Sequence, residues 1–222
     1  MSSKGRNSIL FTKEEYSLFI APYERVVEHV LVSIGDYKKE LELQSKQSHF
    51  PIILDEPRYR IKTYESAIEK CQRKTGKKSV SIDMIRENIL DIAGIRLITD
   101  FEDNVFEIAD ALSSRLRLNV VATKDYINSP KPSGYRSLHI IVQRELHFNG
   151  KTSLIPIEIQ IRTHTMDFWS KLEHKLQYKS ANPCPETEQA FKEISKIAID
   201  IDKKAMVLRD LNKSMIIQNP PI

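Results

Sequence analysis

Between residues 153 and 162 the chain alternates with a period of two. Ile155, Ile157, Ile159 and Ile161 fall on one side of a strand, and Glu158, Gln160 and Arg162 on the other. The strand-like run before it, 137–146, behaves alike, with Leu138, Ile140 and Val142 alternating against Ser137 and His139. Glu158 and His139 can therefore share one side of a sheet, a carboxylate beside an imidazole. Alternation alone equally allows a solvated outer face. Earlier in the chain Lys62, Ser66, Lys70 and Arg73 are spaced four, four and three, which puts all four side chains on one helical face. Cations so close repel unless an anion sits among them, and Glu65 and Glu69 lie about 100° round such a helix from the stripe. An oligophosphate suits the stripe; a merely basic surface is the plainer alternative.

Asp91 stands just before a buried-looking strand that contains Arg96, a position from which a carboxylate can reach a metal at the end of a sheet. A turn aspartate is the commoner fate of such a residue. Asp91 and Glu158 together offer the two carboxylates that a Mg²⁺ bound to substrate phosphates requires. The run Lys131-Pro132-Ser133-Gly134-Tyr135-Arg136 has the composition of a turn. An exposed Tyr135 there can stack on a base while Lys131 and Arg136 hold phosphates, unless the ring is simply part of the sheet core. Neither glycine-rich phosphate fingerprint is present: Gly76-Lys77-Lys78 imitates the end of a P-loop, but no Ser or Thr follows Lys77.

The elements that must position these residues can be read from periodicity. Thr12 and Glu15 form a capping box ahead of a long amphipathic helix to about residue 43. Residues 44–57, with Pro51 and Pro57, read as a connector, and 58–79 as a basic segment. Helices are expected over 82–90, 101–114, 165–178 and 187–211, and strands over 94–99, 116–126, 137–146 and 153–162. Asn149-Gly150 is a hairpin signal between the last two strands. The class is α/β or α+β, a mixed sheet flanked by helices.

Totals narrow the partners. A chain of 222 residues with 41% hydrophobic content can bury one substantial core, and a net charge of +4 is too mild to mark a nucleic-acid binder. Residues 58–79 carry eight Lys or Arg against Glu65 and Glu69, more than the whole molecule's excess. Cys71 and Cys184 lie far apart without metal-ligand spacing, which fits a reducing cytoplasm and neither a disulfide framework nor a zinc site. No export signal and no run of 18 apolar residues is found, so the reading is a soluble cytoplasmic protein with no membrane partner.

Several blocks in order resemble the synthetase motifs of RelA/SpoT homologues. They are Arg60-Ile61-Lys62 with Ser66, Asp91 to Arg96, Lys124 to Ile127 with Pro130-Lys131, Gly134 to His139, and Glu158 to Thr163. The resemblance implies a nucleotidyltransferase-like mixed sheet with long N- and C-terminal helices. It also implies a small, synthetase-only enzyme that moves the β,γ-pyrophosphate of ATP to the 3′-hydroxyl of GDP or GTP, releasing AMP, with Mg²⁺ as cofactor, and so makes the alarmone (p)ppGpp of the bacterial stringent response. Carried over, Arg60 and Arg96 sandwich adenine, and Lys62, Ser66, Lys70, Arg73 and His139 belong to the ATP site. Asp91 and Glu158 are the catalytic and metal residues, with Glu158 also able to accept the hydroxyl proton. Tyr135 stacks on guanine, Lys124 and Lys131 meet its phosphates, and Gln160 and Asp167 read the base or ribose.

The domains implied are an N-terminal segment at 1–19, the synthetase domain at 20–180, and a C-terminal helical extension at 181–222. That extension is a candidate interface in a homotetramer. None of the six histidines is followed by Asp, so the His-Asp signature of hydrolysis is missing. The alternative is a catalytically weak nucleotide-binding or RNA-binding module on the same fold. RNA as a regulator of the enzyme also stays open.

Overall fold

A computed structural model describes residues 8–45, 51–177 and 184–218. Positions 46–50 of the expected connector, the last residue of the helix expected over 165–178, and the domain boundary at 180/181 lie outside the described residues. Helix α1 (Lys13–Ser45) opens on the expected capping box. Thr12 Oγ1 accepts from the Glu15 amide at 3.2 Å, and Glu15 Oε2 accepts from the Thr12 amide at 2.7 Å. Strand β1 (Arg58–Ile61), which periodicity did not reveal, leads into α2 (Tyr64–Thr75) and α3 (Ile82–Asn88). Then come β2 (Ala93–Thr99), α4 (Glu102–Ser114), β3 (Asn119–Asp125), β4 (Leu138–Phe148), β5 (Lys151–Thr163), α5 (His164–Gln177) and α6 (Pro185–Gln218).

The five strands form one mixed sheet in the order β1-β2-β5-β4-β3, parallel between β2 and β5 and antiparallel elsewhere. Asn149 and Gly150 both take positive φ, 48° and 71°, giving the two-residue turn that matches strand twist between β4 and β5. No helix of the described residues is long and apolar enough to cross a membrane.

The sheet has two unlike faces. Ile155, Ile157, Ile159 and Ile161 join Leu138, Ile140 and Val142 in a core closed by Val26, Val30 and Ile34 of α1 and by Val105, Ile108 and Leu112 of α4. The opposite face is not the solvated surface that alternation allowed. Glu158, Arg162 and His139 are buried there, beside a second small cluster of Tyr135, Trp169 and Phe191 from the β3–β4 connection, α5 and α6. A polar row lies buried in this way only when its members satisfy one another.

Candidate active site

Register places the polar residues. Gly94 pairs with Glu158 and Arg96 with Gln160 across β2–β5, Arg60 pairs with Gly94 across β1–β2, and His139 pairs with Gln160 across β4–β5. Arg60, Arg96, His139, Glu158 and Gln160 therefore share the face away from the isoleucines. They line a cavity of about 530 Å³ together with Lys70, Asp91, Lys124, Lys131, Tyr135 and Arg162. Arg60, Arg96 and Gln160 also line an adjoining hollow of about 130 Å³ under Arg58 and Tyr59. Seven Lys or Arg residues line the main cavity against three carboxylates, Asp91, Glu158 and Glu173, so it is a site for polyanions.

At the centre the side chains close a ring of hydrogen bonds. Arg162 Nη2 donates to Tyr135 Oη at 2.6 Å and to Gln160 Oε1 at 2.7 Å. Gln160 Nε2 donates to Glu158 Oε2 at 2.6 Å. His139 stands 3.1 Å from Glu158 Oε1 through Nδ1 and 2.7 Å from Tyr135 Oη through Nε2. All members are satisfied if Tyr135 donates to Nε2 and Nδ1–H donates to Glu158. Burial favours the neutral acid at Glu158, but the bond from His139, the charge that ring carries when protonated, the Gln160 amide and Lys70 outweigh it and pull the carboxyl down to about 2. The carboxylate is thus ionised and weakly basic.

A second anion sits between two lysines. Asp91 Oδ2 lies 2.5 Å from Lys70 Nζ and 3.2 Å from Lys62 Nζ. Burial raises its proton affinity and Glu158 adds to that, yet the Lys70 hydrogen bond and the two ammonium charges prevail and hold it below the usual range. Burial pulls the Lys62 ammonium the other way, below its ordinary value, with Asp91 opposing. The helical stripe needs correction here. Thr63 caps α2, accepting from the Ser66 amide, so Lys62 precedes the helix and reaches Asp91 from the end of β1. Its backbone N–H bonds to Ile92 and its carbonyl to the Tyr16 hydroxyl of α1. Ser66 is engaged in the cap, where its Oγ accepts from Thr63 at 3.0 Å, and Arg73 is exposed in the last turn; neither lines the cavity.

The connection between β3 and β4 folds back on itself, with Gly134 N bonding Lys131 O at 2.8 Å and Lys131 N bonding Tyr135 O at 3.1 Å. Tyr135 is buried, not exposed, and the Lys131 ammonium lies 4.6 Å from its ring centre and 4.8 Å from that of Tyr126. Arg136 does not flank the ring as a phosphate holder: it turns inward, paired with Glu102 at 2.5 Å and Asp202 at 3.4 Å. Asp167, 2% exposed, has both oxygens occupied, Oδ1 by Arg96 at 3.2 Å and Arg162 at 3.4 Å, and Oδ2 by Lys171 at 2.6 Å. It stands beneath the cavity wall and not in it. The role of Arg162 as the residue joining Tyr135, Gln160 and Asp167 had one trace in the sequence, its place in the period-two row.

The fit to a metal can be judged from Asp91. Its Oδ1 is buried and has no hydrogen-bond partner among the described residues. No group of three or more His, Cys, Asp or Glu there is arranged to cage an ion. Two acidic residues with one free oxygen suit a hard cation that keeps water and takes further oxygens from phosphates, as Mg²⁺ does.

Residues 59–183 match the model of the region found in RelA / SpoT proteins. The chain is 37% identical over 162 residues to the GTP pyrophosphokinase YwaC of Bacillus subtilis (strain 168), covering 72% of this chain and 75% of that one. It is 31% identical over 197 residues to YjbM, a GTP pyrophosphokinase of the same organism, covering 88% and 89%. Among solved structures, small alarmone synthetase 1 of Bacillus subtilis bound to its product pppGpp superposes with a TM-score of 0.79 at 31% identity, over 89% of this chain and 97% of that one. The chain belongs to the RelA/SpoT family and has the fold of its small alarmone synthetases.

Proposed function

We infer that this chain makes (p)ppGpp by transferring the β,γ-pyrophosphate of ATP to the 3′-hydroxyl of GDP or GTP. The observation that carries this reading is the ionised, buried Glu158 at the meeting point of two unlike half-sites. Lys70, Lys62 and Asp91 lie on one side, and Tyr135 with Lys131 on the other. Arg60 and Arg96 flank the adenine, with planar guanidinium groups that stack better than lysine. Lys62, Lys70 and His139 take the triphosphate; Ser66 and Arg73 reach it only if α2 shifts. Tyr135 stacks on guanine once Lys131 leaves its ring for the acceptor's phosphates, which Lys124 also meets. Gln160 turns from Arg162 to the ribose, and Asp167 acts from beneath by holding Arg96 and Arg162.

Asp91 and Glu158 hold Mg²⁺, which when bound neutralises phosphate charge and polarises the attacking hydroxyl. The 3′-oxygen then bonds to the β-phosphorus as the bond to the α–β bridging oxygen breaks, and AMP leaves. Glu158 serves as acceptor for the hydroxyl proton. Because it is weakly basic, it takes that proton late, after attack has begun. Such transfer needs positioning and charge more than nucleophilic side chains.

The enzyme acts in the bacterial cytoplasm as a homotetramer built through α1 and α6. Those helices leave Leu18, Val32, Ile197, Ile201, Leu208 and Leu211 at least half exposed. Residues 20–180 form the catalytic unit and 181–222 the extension. Incubating pure protein with ATP, Mg²⁺ and GDP or GTP should release AMP together with a 3′-pyrophosphorylated guanosine nucleotide. Nucleotide binding without either product would leave a sensing module in its place, and a monomer by light scattering would remove the tetramer.

A further inference from the structure

Helix α6 follows the stretch that matches the family model, which ends at residue 183, and it grips the acceptor side of the cleft at three points. Ser195 Oγ donates to the Gly134 carbonyl at 2.7 Å. Gly134 has φ +93°, and a Cβ there would fall 2.7 Å from the Ser195 Cβ, so loop backbone and helix touch directly. Further along, Asp202 Oδ2 accepts from Thr163 Oγ1 at 3.1 Å and pairs with Arg136 Nη1 at 3.4 Å. One turn before Ser195, the Phe191 carbonyl accepts from Trp169 Nε1 at 2.9 Å, and Trp169 packs on Tyr135. Residues 191, 195 and 202 are spaced four and seven, which places them on one face of the helix. Ser195 and Asp202 are 5% and 3% exposed, so neither is a surface contact.

We propose that α6 braces the acceptor subsite, with Ser195 and Asp202 as positioning residues that set where Tyr135 and Lys131 meet the guanine nucleotide. The proposal rests on the synthetase reading above. The segment from Lys131 to Tyr135 keeps its own two hydrogen bonds without α6, so losing the brace tilts the loop without unfolding it. The donor side is held separately, by Asp91 between Lys62 and Lys70 and by Tyr16 of α1. Loss of the brace should therefore weaken the acceptor and spare ATP.

Trp169 is the single tryptophan of the chain and its ring lies 6.1 Å from that of Tyr135, so its fluorescence reports on the acceptor side. Ser195→Ala and Asp202→Asn are compared with wild type in steady-state kinetics for each substrate and in a fluorescence titration with GDP alone. Arg209→Gln is the control: Arg209 ties the same helix to Asp103 of α4 through two hydrogen bonds and does not touch the loop. The KM for the guanine nucleotide and the Kd for GDP should both rise about three- to tenfold in the two loop variants, with the KM for ATP within about twofold of wild type. Arg209→Gln should lower the Tm and leave the acceptor constants unchanged.

Equal rises for both substrates, or wild-type acceptor constants in Ser195→Ala, overturn the proposal. If Asp202→Asn fails to fold, Ser195→Ala decides alone, because it removes one hydroxyl and no carbon. Wild-type protein that binds GDP but makes no product counts against the synthetase reading, and the titration still judges the brace.

Discussion

Replacing Glu158 by Gln keeps the shape of the side chain and removes its charge together with one of its two acceptor oxygens. Its folded value of about 2 lies below the unperturbed 4.5. A depressed carboxyl contributes stability that is complete above the unfolded value and is lost as pH falls through the folded one. The contribution is about 3 kcal/mol at neutral pH, at roughly 1.4 kcal/mol for each pKa unit. Gln cannot replace it: the ring aims two donors at this position, His139 Nδ1 and Gln160 Nε2, and an amide offers only one oxygen. Urea unfolding followed by Trp169 fluorescence at a series of pH values should show a wild-type advantage that shrinks by about 2 kcal/mol between pH 5 and pH 3. Turnover, measured as AMP release, should fall by a factor on the order of 10³. A stability gap that stays constant from pH 5 to pH 3 would refute the claim that His139 and Gln160 hold the carboxylate ionised. Ordinary turnover in the variant would move the chemistry away from Glu158.

Three further outcomes are expected. Gly134→Ala strains a left-handed residue and drives a methyl into Ser195, lowering stability by about 1–3 kcal/mol and raising the acceptor KM; a thermal melt and a GDP titration check both. Asp167→Asn leaves the Arg96 and Arg162 guanidinium groups without their buried counter-charge, so urea unfolding should show a loss of about 2–4 kcal/mol, and the KM values for both substrates should rise together. Chelation with EDTA should stop turnover, with recovery on adding Mg²⁺, yet move the Tm by less than about 2 °C, because Lys62 and Lys70 already neutralise Asp91 in the free protein.

Residues whose placement depends on near neighbours were legible in the sequence. Period two sorted Ile155 to Ile161 from Glu158 and His139, the capping box marked the start of α1, and Asn149-Gly150 marked the hairpin. What escaped depends on distant partners. Strand β1 is four residues of mostly exposed, basic sequence at a sheet edge, and only pairing with β2 makes it a strand. Lys62 shares helical spacing with Lys70 but precedes the helix, because Thr63 takes the cap and the Lys62 amide continues the pairing toward Ile92. Arg136 sits inside a motif of phosphate-holding character yet is buried, because its acidic partners Glu102 and Asp202 come from positions 34 and 66 residues away. Spacing rules cannot see across such distances.

Part of the site's charge is already paired within the free protein, and that bears on how it works. Asp91 stands between Lys62 and Lys70, Asp167 among Arg96, Arg162 and Lys171, and the Lys131 ammonium rests over two tyrosine rings. Cations held in this way are oriented before a phosphate arrives, so little side-chain freedom remains to be lost on binding. Lys62 and Lys70 are already gathered on one carboxylate, whose second oxygen has no hydrogen-bond partner among the described residues. On the reading proposed above, guanine stacked on Tyr135 takes the place of the Lys131 ammonium, which lies 4.6 Å from that ring in the free protein. On that reading, binding exchanges internal ion pairs at Asp91 for contacts with phosphate. This explains how so many cations share one cavity without forcing the unliganded fold apart.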